Sequence, residues 1–102
     1  PPGTLVYSID GPFFFGAAEK LERTLENVQQ HMGILVLRLG RVPFVDATGI
    51  QALSELAADC RRFGTRLVLC EVRPNVLAKL QRAGVAEQIG EGNIVAGIGD
   101  VR

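Results

Sequence analysis

Short apolar blocks alternate along this chain with longer stretches in which apolar residues recur every three or four positions. Thr4-Leu5-Val6-Tyr7-Ser8-Ile9 is rich in β-formers and reads as a strand, ended by the turn chemistry of Asp10-Gly11-Pro12. Phe13-Phe14-Phe15 reads as a second short strand paired antiparallel with the first. Side chains on a strand alternate between its faces, so three successive phenylalanines cannot all point one way. The run is therefore either buried on both faces or a contact site for a partner. From Gly16 to Gln30 the period changes to that of a helix, and Ala18, Leu21, Leu25, Val28 and Met32 form one stripe. Glu19 and Glu22 lie in its early turns, where carboxylates suit the helix dipole, and Gly33 is a stop.

Ile34 to Leu39 is apolar except for Arg38, the pattern of a strand covered on both faces. Val42-Pro43-Phe44-Val45 runs on toward Asp46, and Asp46 or Thr48 can cap a helix reaching about Phe63. Its inward stripe is Ile50, Leu53, Leu56 or Ala57, and Cys60; Arg61, Arg62 and then Gly64 mark its end. Arg66 to Val72 is a further buried strand. Pro74 opens a short helix through Arg82 with Val76, Leu77 and Leu80 inward, and Gly84 closes it. Val85 to Ile89 adds a helical turn, and Ile94 to Ile98 a weak, short strand. Such alternation predicts an α/β fold: a mixed, mostly parallel sheet of four to five strands with helices packed beside it.

Residues 1–102 are enough for one domain and one core. Eleven basic and eleven acidic side chains cancel, so no long-range attraction for a polyanion exists and a nucleic-acid partner is not expected. No apolar run approaches the ~20 residues that span a bilayer. A start at Pro1, with no basic segment leading into an apolar one, suggests a domain cut from a longer chain rather than a secreted protein. Cys60 and Cys70 lie in apolar patterns and read as two buried free thiols, which fits a reducing, cytoplasmic compartment.

The segment richest in chemistry is Asp46-Ala47-Thr48-Gly49, between a strand and a helix. A helix start offers unsatisfied N–H groups and the positive end of the dipole. A phosphate on Thr48 would bring nearly two negative charges there, favoured by the helix and opposed by Asp46. Equally, Asp46 and Thr48 can simply cap the helix. No catalytic set accompanies them. His31 is the single histidine, at the end of the first predicted helix, with no pattern of nucleophile and acid around it. Metal-ligand spacing is absent, and neither GxGxxG nor a P-loop follows the first strand. Arg61, Arg62, Arg66 and Arg73 read as a solvated surface. An enzyme is not expected.

Val42-Pro43-Phe44-Val45-Asp46-Ala47-Thr48-Gly49-Ile50-Gln51-Ala52-Leu53 resembles the signature of STAS domains, which are shared by sulfate-type anion transporters and anti-sigma-factor antagonists. The opening from Val6 to Leu21, through Phe13-Phe14-Phe15-Gly16, looks like the transporter-borne branch; the stretches Gly64 to Cys70 and Val76 to Gly84 also fit. The resemblance covers essentially the whole chain. It implies a cytoplasmic domain that follows the membrane segment of a SulP-type transporter, on the inner face of the cell membrane. Its partners would be that transmembrane domain and a cytosolic protein, with dimerisation arising through the full-length protein. Asp46, Ala47, Thr48, Gly49 and Ile50 would form the interaction or anion-binding loop, with Thr48 at the position of the phospho-acceptor and Asp46 at that of the acidic residue. Ala47 departs from the serine common in antagonists. Phe13, Phe14 and Phe15 would be a second contact. No cofactor is implied beyond weak binding of GTP or ATP. The alternative is a freestanding anti-sigma-factor antagonist switched at Thr48.

Overall fold

The computed structural model describes residues 3–11 and 33–100. The expected second strand at Phe13, Phe14 and Phe15, the helix from Gly16 to Gln30, and His31 lie outside the described residues. Four strands are described: β1 (Thr4–Asp10), β2 (Ile34–Arg41), β3 (Arg66–Cys70) and β4 (Ile94–Val95). They lie side by side in chain order, and every described pairing is parallel. Three helices follow the strands: α1 (Ala47–Arg62), α2 (Pro74–Arg82) and α3 (Val85–Ile89).

Register decides which side chains meet. Leu35 pairs with Leu67 and Leu37 with Leu69, so these residues line one face of the sheet. They pack with Leu53, Leu56, Ala57 and Cys60 of α1, Val76 and Leu80 of α2, and Val85, Ala86 and Ile89 of α3. Sequential parallel strands with one-handed crossovers place their connecting helices on the same face, as observed. The opposite face carries a second buried cluster, Val36, Val68 and Cys70, with Ile34 and Val95 against it. Burial on both faces is why β2 and β3 are nearly continuous apolar runs.

Helix ends follow the local signals. Past α1, the Gly64 N–H donates to the Arg61 carbonyl and the Thr65 N–H to the Cys60 carbonyl, with Gly64 at φ 73°. This pair of bonds satisfies the last carbonyls through a left-handed residue that glycine adopts without strain. Strand β3 stops at Cys70, two residues earlier than its apolar pattern implies. The reason is Glu71, the one described non-glycine residue with positive φ, at 60°. Such a conformation costs of order 1–3 kcal/mol and bends the chain out of the ladder. β4 is shorter than the expected Ile94 to Ile98: a 3-10 turn over Glu91–Asn93 precedes it, and Ile94 and Val95 pair with Leu69 and Cys70, the last residues of β3.

Candidate functional site

The β2–α1 corner puts the predicted loop on the surface. Residues 42–46 are irregular, and Val42 and Val45 are buried while Pro43, Phe44 and Asp46 are exposed. Two apolar anchors thus pin the loop to the core and leave Phe44, 46% exposed, at its tip. Asp46 is the helix cap: its Oδ1 accepts from the Gly49 N–H at 2.8 Å, and its carbonyl accepts from the Ile50 N–H at 2.9 Å. Of the two candidate caps, the sequence left the choice open and the backbone selects Asp46, which has extended dihedrals. Thr48 is therefore relieved of capping. It sits exposed beside exposed Ala47, while Gly49 is buried and Ile50 partly so.

Helix α2 holds this corner from below. Asn75 Nδ2 donates to the Pro43 carbonyl at 2.7 Å, and Lys79 Nζ to the Val45 carbonyl at 2.9 Å. Arg73 Nε donates to the Gly40 carbonyl at 3.1 Å. Two loop carbonyls, of Pro43 and Val45, are thus satisfied by side chains of α2, and the Gly40 carbonyl near the end of β2 by Arg73, the residue before that helix. The result is a loop of fixed shape with no regular secondary structure. On the outer face of α1, Ala47, Thr48, Gln51, Ala52 and Glu55 line a shallow, mainly apolar depression.

The chemistry of this surface is that of shape and a hydroxyl: among the described residues no base or nucleophile pair converges on Thr48. Sequence reasoning singled out Asp46 to Ile50 for this corner; the structure adds Phe44, Asn75 and Lys79 to it. The signal for Phe44 was present, a large aromatic beside Pro43 in a turn. The Asn75 and Lys79 contacts join positions 32 and 34 residues apart, and nothing local announces them.

Cys60 and Cys70 are both free and buried. Burial, and secondarily the Asp59 carboxylate, push the Cys60 thiol up to about 12. Burial and then Glu71 raise that of Cys70, against an opposing pull from Arg38. Neither is an activated thiol. Among the described residues no helix is long and apolar enough to cross a membrane.

Comparison with known proteins agrees with this geometry. The family model for the STAS domain matches residues 1–100. A sulfate transporter family protein from Wolinella succinogenes has the same fold at 38% identity, TM-score 0.89, covering 98% of this chain and 82% of that one. The STAS domain of a SulP transporter from Vibrio cholerae gives 39% identity and TM-score 0.88, covering 96% and 77%. Sulfate transporter 1.2 of Arabidopsis thaliana is 24% identical in a gapped alignment 111 positions long that covers 97% of this chain and 17% of that protein. The chain thus spans about one sixth of the length of the curated relatives it matches.

Proposed function

The chain belongs to the STAS domain family, and from that premise we propose that it is the cytoplasmic regulatory domain of a SulP-type transporter of sulfate or a related anion. It does not carry the anion; it couples a partner protein, a nucleotide or a modification to the membrane part. The observation that carries this reading is the β2–α1 corner, an exposed apolar tip and helix start locked in place by Asp46, Asn75 and Lys79. A surface already ordered before binding loses little entropy on docking. Phe44, at the loop tip, is the aromatic anchor and Thr48, in the first turn of α1, the modifiable group. The likeness to transporter-borne domains supports the attachment to a membrane segment; its place on the inner face and dimerisation through the full-length protein are part of the same proposal.

Thr48 retains the hydroxyl that a freestanding antagonist would use, so the two readings separate by experiment. Native cells are split into membrane and soluble fractions and probed with an antibody to this domain. A membrane-bound band several times larger than 11.0 kDa is expected. A soluble band near 11.0 kDa would overturn the transporter reading in favour of the antagonist.

A further inference from the structure

A second polar feature lies at the carboxyl ends of the strands, apart from the α1 corner. A cleft there is lined by Ser8 and Asp10 of β1, Arg38, Gly40 and Arg41 of β2, and Glu71 just past β3. We propose that this cleft binds a tetrahedral oxyanion, either sulfate or a phosphate group, and that the Glu71 carboxylate is its built-in occupant.

The cleft sits at the carboxyl ends of β1, β2 and β3, where their last residues bring two arginines together. Arg38 meets Glu71 Oε2 through its Nε at 2.9 Å, and Arg41 faces Asp10 Oδ1 through its Nε at 3.8 Å. Both described contacts use Nε, so the terminal amino groups are available to a second acceptor. Two guanidinium forks and the exposed Ser8 hydroxyl suit an anion with several oxygens at tetrahedral angles.

Glu71 shows that the position accepts an anionic oxygen. Its backbone is held at φ 60°, and its Oε1 lies 2.8 Å from where a side chain at Gly40 would begin. The absence of a side chain at residue 40 is what makes room for that oxygen. The Glu71 side chain is 34% exposed and can swing into solvent when an oxyanion takes Arg38. The cleft then presents two arginines against Asp10 alone, with Arg73 close by at the Gly40 carbonyl. The Glu71 N–H donates to the Ala96 carbonyl at 3.2 Å, so release of Glu71 would be felt beside the β3–β4 edge.

The cleft adjoins the docking corner and shares the Arg73–Gly40 bond with it, but none of its lining residues is Phe44 or among Asp46 to Ile50, so its failure would leave that reading intact. The test titrates the 15N-labelled 102-residue chain with sodium sulfate, sodium phosphate and phosphoserine, ionic strength being held constant with sodium chloride. Saturating shifts at Arg38, Gly40, Arg41 and Glu71 are expected. Removing the competing charge in Glu71→Gln should tighten binding about threefold, the scale of one exposed ion pair. Arg38→Gln should weaken it about tenfold, and Arg41→Gln is the second probe if Arg38→Gln does not fold. Saturation by sulfate and phosphate alike assigns a free oxyanion; saturation by phosphoserine alone assigns a phosphomonoester. Shifts that sodium chloride reproduces, or an affinity that Glu71→Gln leaves unchanged, overturn the proposal.

Discussion

Two strand-to-helix corners lie at the carboxyl ends of the neighbouring strands β2 and β3 and solve the same problem differently. The β2–α1 corner takes five irregular residues, keeps ordinary dihedrals at its cap and satisfies its carbonyls with side chains from α2. The β3–α2 corner takes three residues, forces Glu71 to φ 60°, and starts its helix from Arg73 with no side-chain cap and with Pro74 in the first turn. The first holds an uncharged tip in a relaxed, over-determined loop. The second holds charges in a strained one. Fixed apolar shape suits recognition of a protein surface, whereas a displaceable charge suits exchange with a small ion.

Both corners depend on α2, so the largest effect should come from loosening that helix. Leu80 is fully buried in the main core. Leu80→Ala should cost about 2–5 kcal/mol in urea unfolding. The Pro43–Val45 amides should broaden in the same variant, because Asn75 and Lys79 lose their fixed base. Sharp resonances there would show that the corner is held by its own sequence and not by α2.

The thiols give a comparison through pH. Cys60 is raised to about 12 in the fold, against an ordinary value of 9.0. The unfolded chain therefore loses its thiol proton first. Stability is full below pH 9 and falls by at most about 1.4 kcal/mol per pH unit as pH rises toward the folded value. Cys60→Ala should flatten that decline in alkaline urea titrations. Cys70, at the foot of the strained corner, is raised by burial and then by Glu71, while Arg38 pulls the other way. Arg38→Gln should move the Cys70 thiol further up.

Strain at Glu71 makes a smaller and signed prediction. A β-branched residue tolerates positive φ worst, so Glu71→Val should lose about 1–3 kcal/mol. Glu71→Gly trades a relaxed backbone against a more flexible unfolded chain and a lost surface ion pair, and should stay within about 1 kcal/mol of the parent. Equal losses in the two variants would place the cost in the Arg38–Glu71 pair and not in the backbone.

The contrast also explains what could be read in advance. Helix α2 was delimited from Pro74 to Arg82 because both ends carry punctuation that acts locally: a proline that needs no N–H, and Gly84 at φ 80°. The stripe Leu53, Leu56, Ala57 and Cys60 was legible because burial imposes a period on the sequence. Ile50, in the same predicted stripe, is only partly buried, since it lies in the turn that emerges at the corner. The early end of β3 was not legible, because Val72 continues the apolar pattern and Glu71 carries no signal for a left-handed residue. Nor were the clamps on the first corner, which are made across the fold. The candidate loop stood out by its motif; its rigidity, and hence its fitness for docking, came from α2.

The smallest effects decide whether the first corner is structural or functional. Asp46 caps α1, so Asp46→Ala should cost about 1 kcal/mol and shift the Gly49 amide, which loses its acceptor. Thr48 is exposed and leaves the capping to Asp46, so Thr48→Ala should change stability by less than about 0.5 kcal/mol. Urea unfolding of the two variants side by side measures the difference. If Thr48→Ala matched the loss in Asp46→Ala, the hydroxyl would be part of the helix start and its place on a docking surface would lose support. A silent Thr48→Ala in stability, with binding of a cytosolic partner weakened, would mean that the fold does not need this hydroxyl and the surface does.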